Sequence, residues 1–377
     1  MSIAMVAAGF TAGEADHLRR AMSAWKRKGG LEEFDQKLLE GMASRGYTEQ
    51  FAQSIVAQIR GFAEYGFPES HAHSFALIAY ASCWLKCHHP AEFLASLLNC
   101  QPMGFYSPSA LVQDARRHGV EVLPVDACVS GWEASLEPRA DAWPAVRLGL
   151  NLIRGLEREA GWRVEEARSA RPFASTQDLA MRAALTAHHM TDLAAANALA
   201  SLEGNRRQAL WQAASGVPDR GLLRHAAIEE APVAIAAATE GQEIVADYRR
   251  LGLTLGRHPL ALLRDELYRR RFTPSDVLQS FEDGQLARGC GLVTVRQRPG
   301  TANGVTFLTL EDEGGTINVI VFPDLGEKQR TELVKSRLLG VYGVWQSRSG
   351  GRNLIAKRLV ECSHLLGDLS TRSRDFH

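Results

Sequence analysis

The sequence has no excess of either charge, because 43 Lys and Arg balance 43 Asp and Glu in 377 residues. The chain as a whole therefore lacks the basic character of many nucleic-acid-binding proteins, and any such site must be a local patch. Residues 289–362 carry 10 Lys and Arg against 7 Asp and Glu, a small local excess of positive charge. This segment is where such a patch is expected.

Long apolar runs and cysteines are also scarce. The most apolar stretch, residues 75–85, is interrupted by Ser82 and falls short of the roughly 20 residues of a membrane-spanning helix. The amino terminus has no basic region followed by a secretory apolar core. Six irregularly spaced cysteines fit reduced thiols in a reducing compartment. We therefore expect a cytoplasmic protein without a membrane partner.

Helical patterns run through residues 1–125. Pro90 and Pro108 predict helix starts, because proline has no N–H and the first turn of a helix needs none there. A short strand is expected at residues 120–123. From about residue 146 to residue 216, short helices come in pairs with tight joints. A linker helix, expected at residues 247–263, is broken by glycines and Pro259.

The pattern changes to the two-residue period of β-strands after Gly289. Glycine-containing turns separate five strand candidates, and a helical stretch at residues 325–336 stands between the third and fourth. This order is typical of an OB-fold, a partly open barrel that commonly binds oligonucleotides. The candidates are residues 292–297, 305–311, 317–322, 338–346 and 353–360.

These patterns predict an α+β multidomain protein. An all-α region and a helix-hairpin-helix region are expected to precede a five-stranded OB-fold β-barrel. The predicted domains are an all-α domain (1–125), a helix-hairpin-helix region (126–221), linker and supporting helices (222–285) and an OB-fold nucleic-acid-binding domain (286–365).

Two motifs in the all-α domain resemble a known family. Residues 65–77 read YGFPESHAHSFAL and continue through WLK at 84–86 to PAEF at 90–93, while residues 15–22 read ADHLRRAM. Both resemble the fingers region of bacterial DNA polymerase III alpha subunits. Glu69 stands where replicative members usually carry lysine, and QPMGFY at 101–106 is typical of the error-prone branch. The similarity continues through the helical pairs and the barrel.

The resemblance implies a nucleotide-binding site in the fingers. Arg19 and Arg20 would lie close to the triphosphate of the incoming nucleotide, and Ser70 and His71 would line the same pocket. Nucleotidyl transfer needs cationic donors aimed at phosphate oxygens, and arginine supplies a planar fork of them. The alternative is that two adjacent arginines on an amphipathic helix form a solvated face.

Two joints of the helical pairs are candidates for DNA backbone binding. The first, Ile153-Arg154-Gly155-Leu156, looks like a helix-hairpin-helix joint, whose backbone N–H groups can meet a phosphate. The family usually has a second glycine where this chain has Glu157, so a negative side chain points into the place that a phosphate would occupy. The second joint has Asn197 where glycine is usual, and asparagine tolerates the left-handed backbone. Either joint can instead be purely structural.

The barrel carries the mixture of aromatic rings and cations that single-strand binding uses. We predict DNA contacts from Arg296, Arg298, Trp345, Arg348 and Arg352, with the two hairpin arginines, Arg348 and Arg352, favoured over any aromatic. Most aromatics of a small barrel are core residues, and this alternative applies to Phe307, Phe322, Tyr342 and Trp345.

Several potential zinc ligands stand close together in one segment. They are Cys83, Cys87, His88 and His89, with His71 and His73 nearby in the sequence. Cys83 and Cys87 lie one helical turn apart beside Trp84, which fits small apolar residues buried in a core. The core interpretation is favoured, and the resemblance implies no metal here.

The catalytic carboxylates of the family are missing. Nucleotidyl transfer depends on carboxylates that hold two metal ions about 4 Å apart, and the family supplies them from a paired-aspartate motif in its palm. No two aspartates here are spaced as Asp-x-Asp, and the trio Glu311-Asp312-Glu313 is interpreted as a solvated loop. We expect no catalytic residue and no bound cofactor, with Mg²⁺ at the palm of the full enzyme, so this chain alone should be inactive.

The resulting interpretation is the carboxy-terminal part of an error-prone, damage-tolerant DNA polymerase that begins after the palm. Expected partners are template-primer and single-stranded DNA, a deoxynucleoside triphosphate, the palm-containing remainder, and a sliding clamp or accessory repair proteins. The alternative is a stand-alone non-catalytic DNA-binding module. A helicase or ligase fragment is less favoured, because no G-x-x-x-x-G-K-[ST] motif occurs.

Overall fold

A computed structural model of the chain describes residues 2–28, 32–65, 69–104, 106–140, 143–215, 234–300, 302–348, 351–369 and 374–376. Within these ranges, the side chains of residues 22–28, 32, 61–65, 69–71, 215 and 374–376 are not described. The chain divides into two compact units, Met1–His88 and His89–His377.

The described part of the first unit is helical. Leu18, Leu38 and Met42 are fully buried in an apolar core that joins the first four helices. The last helix is largely exposed, including its apolar residues Leu77 and Tyr80. The helices are α1 (Ser2–Ala8), α2 (Ala12–Lys28), α3 (Glu32–Ala43), α4 (Glu49–Tyr65) and α5 (Glu69–His88).

The second unit begins with the two helices that their prolines predict. Pro90 and Pro108 occupy first turns, and the hydroxyl of Ser107 caps the second helix by accepting from the N–H of Ala110. Both helices share an apolar core with residues between 120 and 213, most of which lie beyond the predicted domain boundary at residue 125. The helices up to residue 215 are α6 (Pro90–Asn99), α7 (Pro108–Arg117), α8 (Arg158–Ala170), α9 (Thr176–Arg182), α10 (Ala187–Ala195), α11 (Ala200–Glu203) and α12 (Arg206–Ser215).

A small sheet lies between α7 and α8. The strand expected at residues 120–123 is observed as β1 (Val122–Leu123), which pairs in parallel with β3 (Ala145–Arg147), and β3 pairs antiparallel with β2 (Ser135–Glu137). The expectation that Val146 opens a helical region is wrong, because Val146 is the fully buried centre of β3.

Three linker helices precede the barrel: α13 (Glu240–Arg250), α14 (Pro259–Arg269) and α15 (Ser275–Leu278). The predicted break is confirmed, since Gly252 adopts a positive φ of 76° and Pro259 begins α14. Residues 222–233 of the predicted linker lie outside the described residues. Of the helices described, none is both long and apolar enough to cross a bilayer.

The five predicted strands form a closed barrel. Around the barrel, hydrogen-bonded neighbours follow the order β4, β7, β8, β6, β5 and back to β4. Every neighbouring pair is antiparallel except β6–β8, which is parallel. Two short helices replace the single predicted one, and a last strand, β9, runs parallel to β4. These elements are β4 (Leu286–Gln297), β5 (Thr306–Glu311), β6 (Thr316–Val321), α16 (Pro323–Lys328), α17 (Arg330–Lys335), β7 (Leu338–Arg348), β8 (Gly351–Glu361) and β9 (Arg374–Phe376).

The acidic turn between β5 and β6 is not a solvated loop, contrary to the sequence-based interpretation. Asp312 is 1% exposed and accepts hydrogen bonds from Ser275 and from the N–H groups of Gly314 and Gly315. Burial raises the pKa of Glu313, but bonds from the Arg264 guanidinium outweigh this and leave the pKa below its ordinary value. The turn is a polar junction that fastens the barrel to α14 and α15.

Candidate nucleic-acid interface

Two phenylalanines stand on the outer face of the barrel. Side chains of β5 and β6 alternate between core and solvent, because successive residues of a strand point to opposite faces. Phe307 pairs in register with Ile320, and Thr309 with Asn318. Phe307 is 36% exposed, and Phe322, which follows β6, is 50% exposed. We call this surface the β5–β6 face; it combines aromatic rings with hydrogen-bonding side chains.

The sequence analysis did not single out Asn318. It is exposed, while its neighbours Ile317 and Val319 are buried. An apolar–polar–apolar alternation within a predicted strand is a usable signal for such a residue. The amide adds a donor and an acceptor to the β5–β6 face.

Trp345 does not belong to this face. Its side chain is fully buried in the barrel core, and it pairs in register with Leu354 across β7 and β8. The prediction that Trp345 contacts DNA is therefore wrong for this fold, because a ring without exposed surface cannot stack on a base.

The two arginines at the end of β4 differ in their surroundings. The Nε of Arg296 donates to the carbonyl oxygen of Leu333 at 2.9 Å, and its Nη2 donates to that of Ser336. Arg296 thus fastens α17 to the barrel. Arg298 is exposed, and none of the described residues forms a hydrogen bond or ion pair with it. The structure brings Arg298, more than Arg296, into a position to meet a ligand.

The two predicted hairpin arginines are exposed at the β7–β8 end of the barrel. The Nε of Arg348 lies 2.9 Å from a carboxylate oxygen of Asp283. The N–H of Ser347 and, next to it, this guanidinium lower the pKa of Asp283. Arg352 donates to the side-chain oxygen of Gln279 at 2.9 Å. Both cations are accessible, although Arg348 is already neutralised by one carboxylate.

The first helical joint is packed against other parts of the second unit. A single 3₁₀ turn, Leu150–Leu152, replaces the first predicted helix of the pair. Gly155 has a φ of 95°, and a side chain there would come within 2.7 Å of Asp192 Oδ2. Arg154 uses its guanidinium to donate to the carbonyl oxygen of Arg249 at 3.1 Å. The backbone N–H of Arg154 also donates within the protein, to the carbonyl oxygen of Arg250 at 3.0 Å, so both donor groups of Arg154 are engaged.

Asp192 is the buried partner of this joint. Its Oδ1 accepts from Nη1 of Arg250 at 2.6 Å, and the Asp192 side chain is 1% exposed. Glu157 is exposed at the start of α8, where its carboxylate would repel a phosphate. The charge of Asp192 is compensated by Arg250, so the exposed carboxylate of Glu157 is the group that opposes a DNA backbone at this joint.

The second joint has the backbone that asparagine was expected to allow. Asn197 adopts a left-handed φ of 60° between α10 and α11. Its side-chain oxygen is buried and has no hydrogen-bond donor among the described residues. The joint returns the chain between two helices, and whether Asn197 contacts DNA remains a prediction.

In the first unit, Arg19 and Arg20 share the carboxylate of Asp16. The Nε of Arg20 lies 2.8 Å from Oδ2 of Asp16, and the Nε of Arg19 lies 2.9 Å from Oδ1. These bonds, Arg20 first, hold the pKa of Asp16 below its ordinary value. Both arginine side chains stay exposed. Ser70 and His71 lie in the first turn of α5, but their side chains are outside the described residues.

Cys83 and Cys87 are exposed, so their interpretation as buried core residues is wrong. Across the described ranges, no group of three or more His, Cys, Asp or Glu side chains could hold a metal ion. The residues described do not fit a two-metal polymerase centre, and we assign them no metal-dependent step.

Comparisons with known proteins agree with this arrangement. Family sequence profiles match for the bacterial DNA polymerase III alpha subunit finger domain (residues 1–46), a helix-hairpin-helix motif (119–209) and an OB-fold nucleic acid binding domain (290–361). The latter two support the predicted fold class.

Curated relatives match the whole chain. It is 58% identical over 384 residues to the error-prone DNA polymerase of Bordetella parapertussis, and 58% identical over 383 residues to that of Burkholderia pseudomallei. Each match covers 100% of this chain but 36% of the relative, so the chain spans about a third of their length. Among solved structures, asparaginyl-tRNA synthetase from Pyrococcus horikoshii is 23% identical over a match that covers 24% of this chain and 22% of the synthetase chain. The TM-score of this match is 0.21, which is too low to indicate a shared fold.

Proposed function

The chain is homologous over its whole length to part of the bacterial error-prone DNA polymerases of the DNA polymerase III alpha type, and on this premise we propose that it holds DNA for such an enzyme. The OB-fold barrel binds the single strand, with bases stacked on Phe307 and Phe322 and cations meeting the backbone. The observation that carries the proposal is the β5–β6 face, since this surface binds oligonucleotides in OB-folds.

The helical joints have a supporting role in this proposal. Arg154 and Asp192 are bonded within the protein, whereas Arg298 is not bonded to any described residue. The barrel therefore contributes most of the affinity, and the helix-hairpin-helix region positions it.

Titration of a labelled oligothymidylate with the full chain tests DNA binding. Binding should weaken as salt rises, because each neutralised phosphate of a single strand releases about 0.7 of a cation. Absence of binding at low salt, or binding that does not respond to salt, would contradict the proposal.

We also propose that this chain does not extend a primer by itself. The sequence contains no Asp-x-Asp pair, and two-metal nucleotidyl transfer depends on carboxylates. Catalysis and tolerance of damaged templates would then depend on the palm-containing remainder, which is a proposed partner of this chain together with a sliding clamp or accessory repair proteins. Incubation with primer-template, Mg²⁺ and four nucleotides should give no extension. Extension that is lost on replacing a carboxylate of this chain would contradict this.

For the fingers segment we propose that Arg19 and Arg20 meet the triphosphate of the incoming nucleotide. Asp16 orients both guanidinium groups while leaving them exposed, which reduces the entropy lost on binding. In titrations with a fluorescent deoxynucleoside triphosphate, Arg20→Ala should weaken binding about tenfold, since a hydrogen bond to a charged group contributes roughly 1.5–3 kcal/mol. Arg45→Ala, which removes another exposed arginine of the first unit, is the matched control. Equal effects of the two substitutions would place Arg20 on a solvated face.

A further inference from the structure

A cavity of about 340 Å³ opens at the end of the barrel where β4 leads towards β5. Its walls come from the end of β4, the start of β5 and the helices α16 and α17. The volume falls in the roughly 300–1,000 Å³ range of small-molecule sites. The cavity is therefore large enough to receive part of a ligand rather than a single water molecule.

We call the apolar part of the cavity lining its apolar floor. Pro323, Leu333 and Val334 line it, and Val334 is 55% exposed although it is hydrophobic. An accessible apolar surface beside charged groups favours a ligand with an apolar face and a charged end. A nucleotide has both, since the base offers a π-face and the phosphate carries the charge.

Two unpartnered cations stand at the rim. Arg298 and Arg330 both line the cavity and are exposed, and neither forms a hydrogen bond or ion pair with any residue described. Arg296, the third arginine of the lining, is held by the carbonyl oxygens of Leu333 and Ser336 and builds the wall. Glu327 is the carboxylate among the lining residues, so positive charge prevails. Two free guanidinium forks suit the oxygens of one phosphate.

The cavity lining adjoins the two phenylalanines of the β5–β6 face along the chain. Thr306 and Pro323 line it, and the residues next to them in sequence are the exposed Phe307 and Phe322. A strand whose bases stack on those rings would pass the cavity mouth. We propose that the cavity takes one nucleotide unit, with its base on the apolar floor and its phosphate on Arg298 and Arg330. For a nucleotide within a strand, this rests on the proposed DNA-binding function.

The test compares two double variants of the full chain. Arg298→Ala with Arg330→Ala removes the rim cations, and Lys328→Ala with Lys335→Ala removes two exposed cations of the same helices outside the lining. The arginine variant should bind oligothymidylate about ten- to a hundredfold more weakly. Its plot of log K against log salt should be shallower by about 0.7, because the two arginines contact one phosphate. The lysine variant should change both values much less.

A second titration, with thymidine 5′-monophosphate, distinguishes a strand from a free nucleotide. If the unmodified chain binds the mononucleotide through the two arginines but not the oligomer, the cavity assignment holds and single-strand binding fails. If oligomer binding is intact and equal in the two double variants, single-strand binding holds and the cavity assignment is overturned. Circular dichroism verifies that both variants are folded, as expected for exposed positions.

Discussion

On the β5–β6 face, Phe307 and Phe322 are exposed, and the nearby Arg298 has no partner among the described residues. At the first helical joint, by contrast, Arg154 donates to a backbone carbonyl oxygen, and Arg250 is paired with the buried Asp192. Sequence patterns suggested DNA binding for both regions. The comparison shows that similar residue types can serve a ligand in one region and the fold in the other.

The difference has an energetic consequence. Substitution of an exposed, unpartnered side chain usually changes stability by less than about 0.5 kcal/mol, while breaking a buried pair costs several times more. Substitutions in the barrel face should therefore affect DNA binding, and substitutions in the joint should affect stability.

The largest expected effect is that of Trp345→Ala, which tests whether this residue belongs to the core or the face. Removing the fully buried ring should cost about 3–5 kcal/mol in the free energy of unfolding. Trp345→Phe should cost much less, because it keeps the aromatic volume and removes a buried N–H that has no acceptor among the described residues. Thermal unfolding and oligothymidylate titration are the measurements. If Trp345→Phe bound DNA more weakly while its stability was unchanged, the Trp345 ring would be a DNA contact rather than a core residue.

Asp192→Ala should give the next largest loss. It leaves Arg250 without its partner, and the cost should lie near the lower end of about 3–5 kcal/mol because Arg250 is 31% exposed. Glu157→Ala removes an exposed carboxylate from the same joint and should barely change the melting temperature. If Asp192→Ala left stability intact and strengthened DNA binding, the joint would be a phosphate site restrained by this carboxylate.

Phe307→Ala and Phe322→Ala should each weaken oligothymidylate binding by about 1–3 kcal/mol, the value of one base–aromatic stack. Both rings are exposed, so the melting temperature should stay nearly constant. Tyr268→Ala, at an exposed aromatic of α14, serves as the control. If the phenylalanine variants lost no more affinity than Tyr268→Ala, base stacking on Phe307 and Phe322 would be excluded.

The smallest effect is expected for Arg154→Ala. Its guanidinium already donates to the Arg249 carbonyl oxygen, so DNA affinity should change by less than about 0.5 kcal/mol. The salt dependence of oligothymidylate binding is the sharper measurement. A slope shallower by about 0.7 would reveal a phosphate contact at this joint.

Much of the architecture was predictable because its signals are local. Alternation and turn glycines located all five barrel strands, and Pro90 and Pro108 located two helix starts. The strands β2 and β3 were missed, since three residues are too few to establish a period.

Site residues were harder to predict because their surroundings depend on distant parts of the chain. Residues 338–345 read LLGVYGVW and include no charged residue, so the sequence shows no apolar–polar alternation that could assign the face of Trp345, although burial does alternate from Val341 to Trp345. The acidic turn was interpreted as solvated, but Asp312 bonds to Ser275 and Arg264, which stand 37 and 48 residues earlier. No pattern within one segment reveals such partners.

The most direct test of the contrast is amide hydrogen exchange on the full chain with and without oligothymidylate, because one experiment reads both regions. The account predicts slower exchange in residues 304–309 and 316–326, which form the β5–β6 face and the adjacent cavity wall. Residues 153–158 and 195–199, at the two joints, should exchange at the same rate with and without DNA. Protection confined to the joints, with none in the barrel, would contradict the account.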